Sequence, residues 1–184
     1  MSERTSKAEQ ILDAAEKMAR IGGYHGFSFR EIAKDVGIKA ASVHYHFPGK
    51  QDLGAAIAKR YTERFLESLG APDDPGAAPT ELLQRYIAAF RHSLVEDKLM
   101  CLCGMFGAEI THLPDKVARE TQIFFERNRD WLMTVIMRAG KKKKADAEKA
   151  AFSILATLEG AMILARTLND PAAFDAVAQT LALE

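Results

Sequence analysis

The feature that most constrains this chain is the stretch 28–47, which predicts two short helices joined by a glycine-centred turn. Ser28 is a favourable N-cap, and Glu31 follows three residues later, where its carboxylate can reach back to the cap, as in a capping box. Gly37 can adopt the left-handed conformation that ends a helix. The first helix is therefore expected between Ser28 and Gly37, and a second can begin directly after the turn.

The second helix is predicted at about residues 40–46. Pro48 ends it, because a proline disfavours helical geometry in the residue before it. Three apolar residues recur at helical spacing and are expected to face the core: Ala40, Val43 and Phe47. The outer side is polar and carries hydrogen-bond donors: Ser42, His44, Tyr45 and His46. Such a helix fits the major groove of B-DNA; the alternative is a plain helical hairpin with a solvated polar face.

Four segments resemble the DNA-binding domain of the TetR family of transcriptional regulators. They are Ile-Leu-Asp-Ala-Ala at 11–15, Gly-Tyr-His-Gly-Phe-Ser at 23–28, Ile-Ala-Lys-Asp-Val-Gly at 32–37 and Tyr-His-Phe-Pro-Gly-Lys-Gln-Asp-Leu at 45–53. The last segment is the most specific, and the resemblance extends over residues 4–65. It implies a sequence-specific DNA-binding regulator, most often a dimeric repressor that a small effector releases from its operator.

The resemblance also implies an all-α fold of about nine helices in two domains. An N-terminal three-helix domain would span 5–65, with the helix-turn-helix at about 28–47, and an effector-binding and dimerisation domain would span 80–184. Residues 70–79 hold three prolines and two glycines, which predicts a linker without a helix. The other helices are expected at about 6–21, 50–69, 80–97, 103–112, 114–138, 146–168 and 172–183.

The helix expected at about 146–168 is rich in small residues and carries a glycine, Gly160, in its middle. A mid-helix glycine costs about 1 kcal/mol relative to alanine, so its presence indicates a close backbone approach. In the family that the chain resembles, the last two long helices pair with their copies in a second subunit. The alternative is that they only close the core of one chain.

The charge of the chain is balanced overall, with a formal net charge of zero. A DNA-binding protein of this composition must concentrate positive charge locally. Residues 1–64 carry eleven Lys and Arg against eight acids, which is a mild excess in the expected direction.

The cellular location is expected to be the cytoplasm. The polar N-terminus does not resemble a signal peptide, and we expect no apolar run of the roughly twenty residues that span a membrane. Cys101 and Cys103 cannot bridge each other on a regular helix at a spacing of two, which favours a reducing compartment.

The resemblance assigns DNA contacts to the helix-turn-helix and its flanks. Backbone phosphates would be contacted by Ser28, Tyr45, His46 and Lys50, and bases would be read by Lys39, Ala41, Ser42 and His44. The full candidate set adds Arg30, Ala40 and Val43. The family usually has Ser, Gly and Tyr where this chain has Lys39, Ala41 and His44, so its operator sequence cannot be inferred from relatives.

The resemblance also implies an effector pocket in the second domain, with no cofactor. Candidate lining residues form a Met and aromatic set that favours a small apolar effector: Phe90, Met105, Phe106, His112, Phe124, Phe125, Trp131 and Met162. The alternative for each is an ordinary core position.

Two further hypotheses concern Cys101 and Cys103, and the pair Glu109 and His112. Some relatives sense oxidants or electrophiles through a cysteine in this region, which makes the two thiols redox candidates; the alternative is a pair of buried small hydrophobes. Glu109-Ile-Thr-His112 has the Glu-x-x-His spacing of di-iron helical bundles. The chain has one copy where such bundles need two, so a metal enzyme is a distant alternative, and we expect neither a metal site nor catalysis.

Overall fold

The computed structural model describes residues 6–140 and 143–183, and these are all-α, as predicted. The helices in these ranges are α1 (Lys7–Gly22), α2 (Phe29–Val36), α3 (Ala40–His46), α4 (Lys50–Leu69), α5 (Pro79–Val95), α6 (Leu102–Ala108), α7 (Asp115–Ala139), α8 (Lys144–Leu168) and α9 (Pro171–Ala178). Two 3₁₀ turns lie at Tyr24–Gly26 and Ile110–His112. Residues 4, 5 and 184, at the ends of the expected segments, lie outside the described residues.

Three helices end earlier than expected: α5 by two residues, and two others by more, each of these for a local reason. The helix predicted at 103–112 ends at Ala108 and tightens into a 3₁₀ turn, where His112 N–H bonds to Glu109 O at 2.8 Å. The last helix ends at Ala178 rather than 183. There the hydroxyl of Thr180 donates to Val177 O at 2.8 Å, and such a side-chain bond competes with the helical ladder.

The chain divides into two compact units, and the divisions fall inside α4 and α7. The first unit contains residues 1–62 and 102–124, and the second contains residues 63–101 and 125–184. The helix-turn-helix therefore shares its unit with the first half of α4, with α6 and with the first turns of α7.

The first unit is built on the apolar faces of its helices. Residues without exposed surface come from α1, α2, α3 and α4: Ile11, Ala15, Ala19, Ile32, Val43, Leu53 and Ile57. Arg60 of α4 ties the outer side of this core to α1, because its guanidinium lies 2.8 Å from Glu9, 2.9 Å from Asp13 and 2.9 Å from Glu16. These contacts hold α4 against the scaffold of the reading helix.

The second unit has an aromatic core around α5, which also packs on α8 and α9. Tyr86 is fully buried, stacks on Trp131 with ring centroids 5.5 Å apart, and packs near Phe65 and Phe90. Its hydroxyl donates to Asn128 Oδ1 at 2.8 Å, so its polar end is satisfied.

The Pro- and Gly-rich segment 70–79 lies within the second unit and is not helical before Pro79. Arg138 donates to three of its carbonyls, those of Pro72, Asp74 and Ala77, at 2.6 to 2.9 Å. Trp131 Nε1 donates to a fourth, Gly70 O, at 2.9 Å. Side chains of α7 thus add hydrogen bonds to the carbonyls of a segment that has no helical ladder of its own before Pro79.

Helix α8 is more apolar than expected, since an 18-residue window reaches a mean hydropathy of 1.4 and the helix is long enough to cross a membrane. Core helices of soluble proteins meet the same criterion. One face of α8 is buried within the second unit, and several large apolar side chains lie on its other face. Apolar residues on both faces account for the high hydropathy.

Candidate DNA-binding site

The N-terminus of α2 is capped by Ser28, as the sequence predicts, but Glu31 bonds to a different atom. Ser28 Oγ accepts from Glu31 N–H at 3.3 Å and donates to Glu31 Oε2 at 2.6 Å. The carboxylate thus reaches the serine hydroxyl rather than the backbone amide. A DNA phosphate that contacts Ser28 would have to displace this carboxylate.

The turn between α2 and α3 depends on Gly37, which has φ 71° and ψ 39° in the left-handed region. The N–H of Gly37 and that of Ile38 both bond to Ala33 O, the latter at 2.9 Å. Apart from its chain neighbours, no atom of the described residues lies within 4 Å of the position of a Cβ at Gly37. Glycine is therefore favoured here by its backbone conformation and not by lack of space.

Helix α3 is anchored by Val43, which is fully buried. Val43 therefore belongs to the core, and its inclusion among the DNA contacts is wrong. The expectation that Ala40 faces the core is also wrong, because Ala40 is the first residue of the helix and is exposed. Phe47 is half-buried, and its N–H closes the helix on Val43 O at 2.9 Å.

The outer surface of the helix-turn-helix presents most of the predicted DNA contacts to solvent. Exposed residues are Arg30, Lys39, Ala40, Ala41, His44, Tyr45 and His46, whereas Ser28, Ser42 and Lys50 are half-buried. Tyr45 is 85% exposed, which is unusual for a large aromatic residue. An open groove of about 490 Å³ runs along this face and is lined by Lys7, Ile38, Lys39, Ala41, Ser42, Tyr45 and His46. Lys7 and Ile38 are additions that sequence reasoning missed.

His44 is exposed but its ring is not isolated. It packs on Phe29 of α2, with ring centroids 4.5 Å apart and an interplanar angle of 63°. Tyr45 and His46 form a second edge-to-face pair, at 5.3 Å and 82°. These contacts restrict the orientations of three exposed side chains of α3, of which Tyr45 and His46 line the groove. The pairing of Phe29 with His44 has no signal in the spacing of either helix.

Lys50, at the start of α4, lies over two aromatic rings. Its Nζ is 4.7 Å from the centroid of Tyr24 and 4.7 Å from that of Phe27. Burial lowers the pKa of the Lys50 ammonium, and the Glu31 and Glu109 carboxylates act in the opposite direction. Burial raises the pKa of the Tyr24 hydroxyl, and the nearby Asp52 adds to this effect. The rings thus fix the position of a predicted phosphate-binding cation.

The predicted effector residues divide between the two units. Met105, Phe106, His112 and Phe124 lie in the first unit, and Phe90, Phe125, Trp131 and Met162 lie in the second. Phe90, Phe106, Phe124, Trp131 and Met162 are buried, Met105 and Phe125 are half-buried, and His112 is exposed. Cys101 and Cys103 are both buried thiols.

Glu109 and His112 make separate contacts within the first unit. Glu109 accepts from Tyr24 N–H at 2.8 Å, and His112 Nδ1 lies 3.1 Å from Thr111 Oγ1. Among the described residues, no group of three or more His, Cys, Asp or Glu side chains is arranged to hold a metal ion.

A buried anchor, a left-handed glycine turn and a polar outer helix on a helical scaffold define a helix-turn-helix DNA-binding protein. The sequence profile of bacterial regulatory proteins of the tetR family matches residues 11–57, and that of the LmrA/YxaF-like regulator C-terminal domain matches residues 79–180. The chain belongs to the TetR family of bacterial transcriptional regulators. It is a DNA-binding regulator and not an enzyme.

Three relatives illustrate the similarity. The regulator LmrA of Bacillus subtilis is 26% identical over 167 residues, which span 88% of this chain and 87% of LmrA. The transcriptional repressor DhaR of a Mycobacterium species is 25% identical over 67% of this chain and 62% of DhaR. A TetR regulator from Legionella pneumophila superposes with a TM-score of 0.90 at 30% identity, covering 97% of this chain and 96% of that protein.

Proposed function

We propose that two copies of this chain bind a symmetric operator as a repressor and leave it when a small apolar effector binds. The observation that carries the proposal is the exposed outer face of α3 with its fixed neighbours. His44 is packed on Phe29, and the Lys50 ammonium is held over Tyr24 and Phe27. Side chains held in place before binding lose little freedom when they meet DNA. Because a repressor must reach the operator DNA that it controls, we infer that the protein acts in the cytoplasm.

The outer face of α8 supports the dimer. Four of its large apolar side chains are each more than half exposed: Phe152, Ile163, Leu164 and Leu168. Gly160 lies on the same helix, and apart from its chain neighbours and the backbone of its own helix, no atom of the described chain is within 4 Å of where its Cβ would be. The close approach that this glycine allows is therefore left for a second copy. A symmetric dimer also matches the symmetry of operators whose half-sites lie about 34 Å apart.

The aromatic content of the second unit supports an apolar effector. Phe90 and Trp131 flank Tyr86, and the two polar atoms of this group, the Tyr86 hydroxyl and Trp131 Nε1, are already hydrogen-bonded to Asn128 and to Gly70 O. Apolar ligand sites are lined in this way, with few polar groups. We propose that such a ligand acts through α4, which begins in the first unit and ends in the second, by favouring a conformation that spreads the two reading helices.

A second candidate is a thiol sensor, which one observation favours. Burial raises the pKa of the Glu159 carboxyl to about 7, and a hydrogen bond from the Cys101 thiol partly offsets this effect. A carboxyl that titrates near neutral pH can accept the thiol proton and so make Cys101 more reactive. The burial of both cysteines favours the apolar effector instead.

The effector hypothesis can be tested with Trp131, the one tryptophan of the chain. Intrinsic fluorescence of the protein, followed during titration with a panel of apolar aromatic compounds, should change and saturate for a ligand that also releases operator DNA. Trp131→Phe should lose this signal. A ligand that releases DNA from wild type without any change in Trp131 fluorescence would contradict this site. An electrophile that releases DNA from wild type but not from Cys101→Ser would favour the thiol sensor.

A further inference from the structure

Glu109 makes a contact that spans 85 positions of the sequence. Its Oε2 accepts a hydrogen bond from Tyr24 N–H at 2.8 Å, in a partly buried position of the first unit. The carboxylate lies against Gly23, whose φ is 69°, and a Cβ at Gly23 would collide with it. The turn between α1 and α2 is thus shaped to receive a carboxylate from the end of α6.

The turn that Glu109 holds carries the Tyr24 ring. This ring packs edge to face on Phe27 at 5.7 Å and on Phe106 of α6 at 6.1 Å. It also lies close to Gly54 of α4, where an added Cβ would be 2.9 Å from Tyr24 Cε2. The ring is therefore enclosed on several sides, and its position follows that of its own backbone.

The Tyr24 ring in turn forms half of the aromatic platform under Lys50. The Lys50 Nζ lies 4.7 Å from both ring centroids, and a cation over an aromatic face is attracted by the ring quadrupole. A displacement of the Tyr24 backbone would remove one of the two rings. The ammonium would then sample more positions than the one that the platform selects.

We propose that Glu109 is a positioning residue for DNA binding: it fixes the Tyr24 turn, and the turn holds the Lys50 ammonium where it can meet a backbone phosphate. This inference rests on the proposed phosphate contact of Lys50. It also gives a role to the glutamate of the Glu-x-x-His motif, which the DNA-binding function alone does not use.

The sign of the effect on affinity separates positioning from simple electrostatics. Glu109→Ala removes a negative charge, which by itself would strengthen binding to DNA. We expect it instead to weaken binding and to lower the slope of log affinity against log salt by up to about one per protomer, the effect of losing one phosphate contact. Asp115→Ala is the matched control, because Asp115 is an exposed acid of the same unit; it should leave affinity unchanged or raise it.

A double-mutant cycle tests whether Glu109 acts through Lys50. Affinity and salt slope are measured on one duplex for wild type, Glu109→Ala, Lys50→Ala and the double variant. We expect the double variant to match Lys50→Ala. Glu109→Gln keeps an oxygen that accepts from Tyr24 N–H, so it should retain most of the wild-type slope. Additive losses, or an unchanged slope in Glu109→Ala, would overturn the proposal.

A measurement without DNA separates this inference from the proposed function. The ε-methylene NMR signals of Lys50 in wild type should carry ring-current shifts from Tyr24 and Phe27. We expect these shifts to shrink in Glu109→Ala and to persist in Glu109→Gln and Asp115→Ala. Unchanged Lys50 signals in a folded Glu109→Ala protein would refute the positioning role, even if DNA binding is as proposed. If these shifts are lost in Glu109→Ala but the wild-type protein binds no duplex, the proposed function is refuted, whereas the placement of the Lys50 ammonium by Glu109 is not.

Discussion

At the scale of single residues, the reading surface depends on a few side chains and backbone conformations that have no substitute nearby. Gly37 sets the angle between α2 and α3 through its left-handed backbone. Val43 is the one fully buried residue of the seven-residue helix α3, and it anchors that helix to the core. Arg60 gathers three carboxylates of α1. Substitutions at such positions should change the stability of the fold or the placement of α3 more than they change the contacts made with DNA.

Gly37→Ala tests the backbone requirement. An alanine in the left-handed region costs about 1 to 2 kcal/mol, and since no atom crowds a Cβ at this site, the whole loss should be conformational. Gly22→Ala is the matched control, because it is equally uncrowded and lies within α1, where alanine should stabilise by up to about 1 kcal/mol. Urea denaturation of both variants provides the measurement. Equal stability of wild type and Gly37→Ala would show that the turn does not need its glycine.

Glu159 predicts a pH dependence of stability. Burial raises the pKa of its carboxyl from 4.5 to about 7, so between these values the folded state holds a proton that the unfolded chain has released. Stability therefore falls as the pH rises through this window. Glu159→Gln is neutral throughout, and its stability relative to wild type should rise between about pH 5 and about pH 8 by up to about 3 kcal/mol.

The measurement is denaturation of both proteins at the two pH values and at one fixed protein concentration. A constant difference between Glu159→Gln and wild type would contradict a carboxyl that titrates near pH 7. If the stability advantage of Glu159→Gln over wild type became smaller as the pH rises, folding would lower the pKa of the Glu159 carboxyl instead of raising it.

At the scale of elements, the helix bounds that could be predicted from the sequence are those set by local signals such as caps and helix breakers. Ser28, Gly37 and Pro48 predict the bounds of α2 and α3 because caps and breakers act on their own turn. Helical periodicity wrongly placed Ala40 in the core, because a periodic pattern does not reveal that the first residue of a short helix has no neighbour to pack against. Thr180 shortened α9 through a side-chain bond that no periodicity reports.

Contacts between residues far apart in the chain could not be predicted from the sequence. The bond between Glu109 and Tyr24 joins residues 85 positions apart, and Glu109 had suggested a metal ligand because of its spacing to His112. Residues 102–124 belong with the helix-turn-helix, although they follow the second unit's first helix in the chain. Only tertiary packing decides such partners, and a single sequence carries no trace of it.

Substitutions in α3 and at the start of α4 should change different properties of DNA binding, namely sequence preference and overall affinity. His44→Ala should change the preferred sequence, because its exposed ring is held in one orientation by Phe29. Lys50→Ala should lower affinity for all sequences by a similar factor, because a phosphate contact does not read bases. Selection from a random duplex pool measures both. The same preferred motif from wild type and His44→Ala would refute a base-reading role for this histidine.

At the scale of the whole molecule, binding to a symmetric operator requires two copies of the chain. The outer face of α8 carries the apolar side chains that a partner would cover, and Gly160 permits close contact there. A charge placed in this face should separate the copies, because a buried unpaired carboxylate costs several kcal/mol.

Ile163→Asp tests this surface, with Ile21→Asp as the matched control. The two isoleucines are 56% and 59% exposed, but Ile163 lies on α8 and Ile21 on α1. Sedimentation analysis should show a monomer for Ile163→Asp and an unchanged dimer for Ile21→Asp, with similar helix content by circular dichroism. A dimeric Ile163→Asp would move the interface to another surface.

Operator binding by a dimer is tested by titration of wild-type protein into a labelled pool of duplexes across about 50 to 200 mM salt. We expect affinity to fall linearly in log units with log salt, and two protomers to be present in each specific complex. A protein that stays monomeric and shows no salt-sensitive affinity for any duplex would contradict operator binding by a dimer.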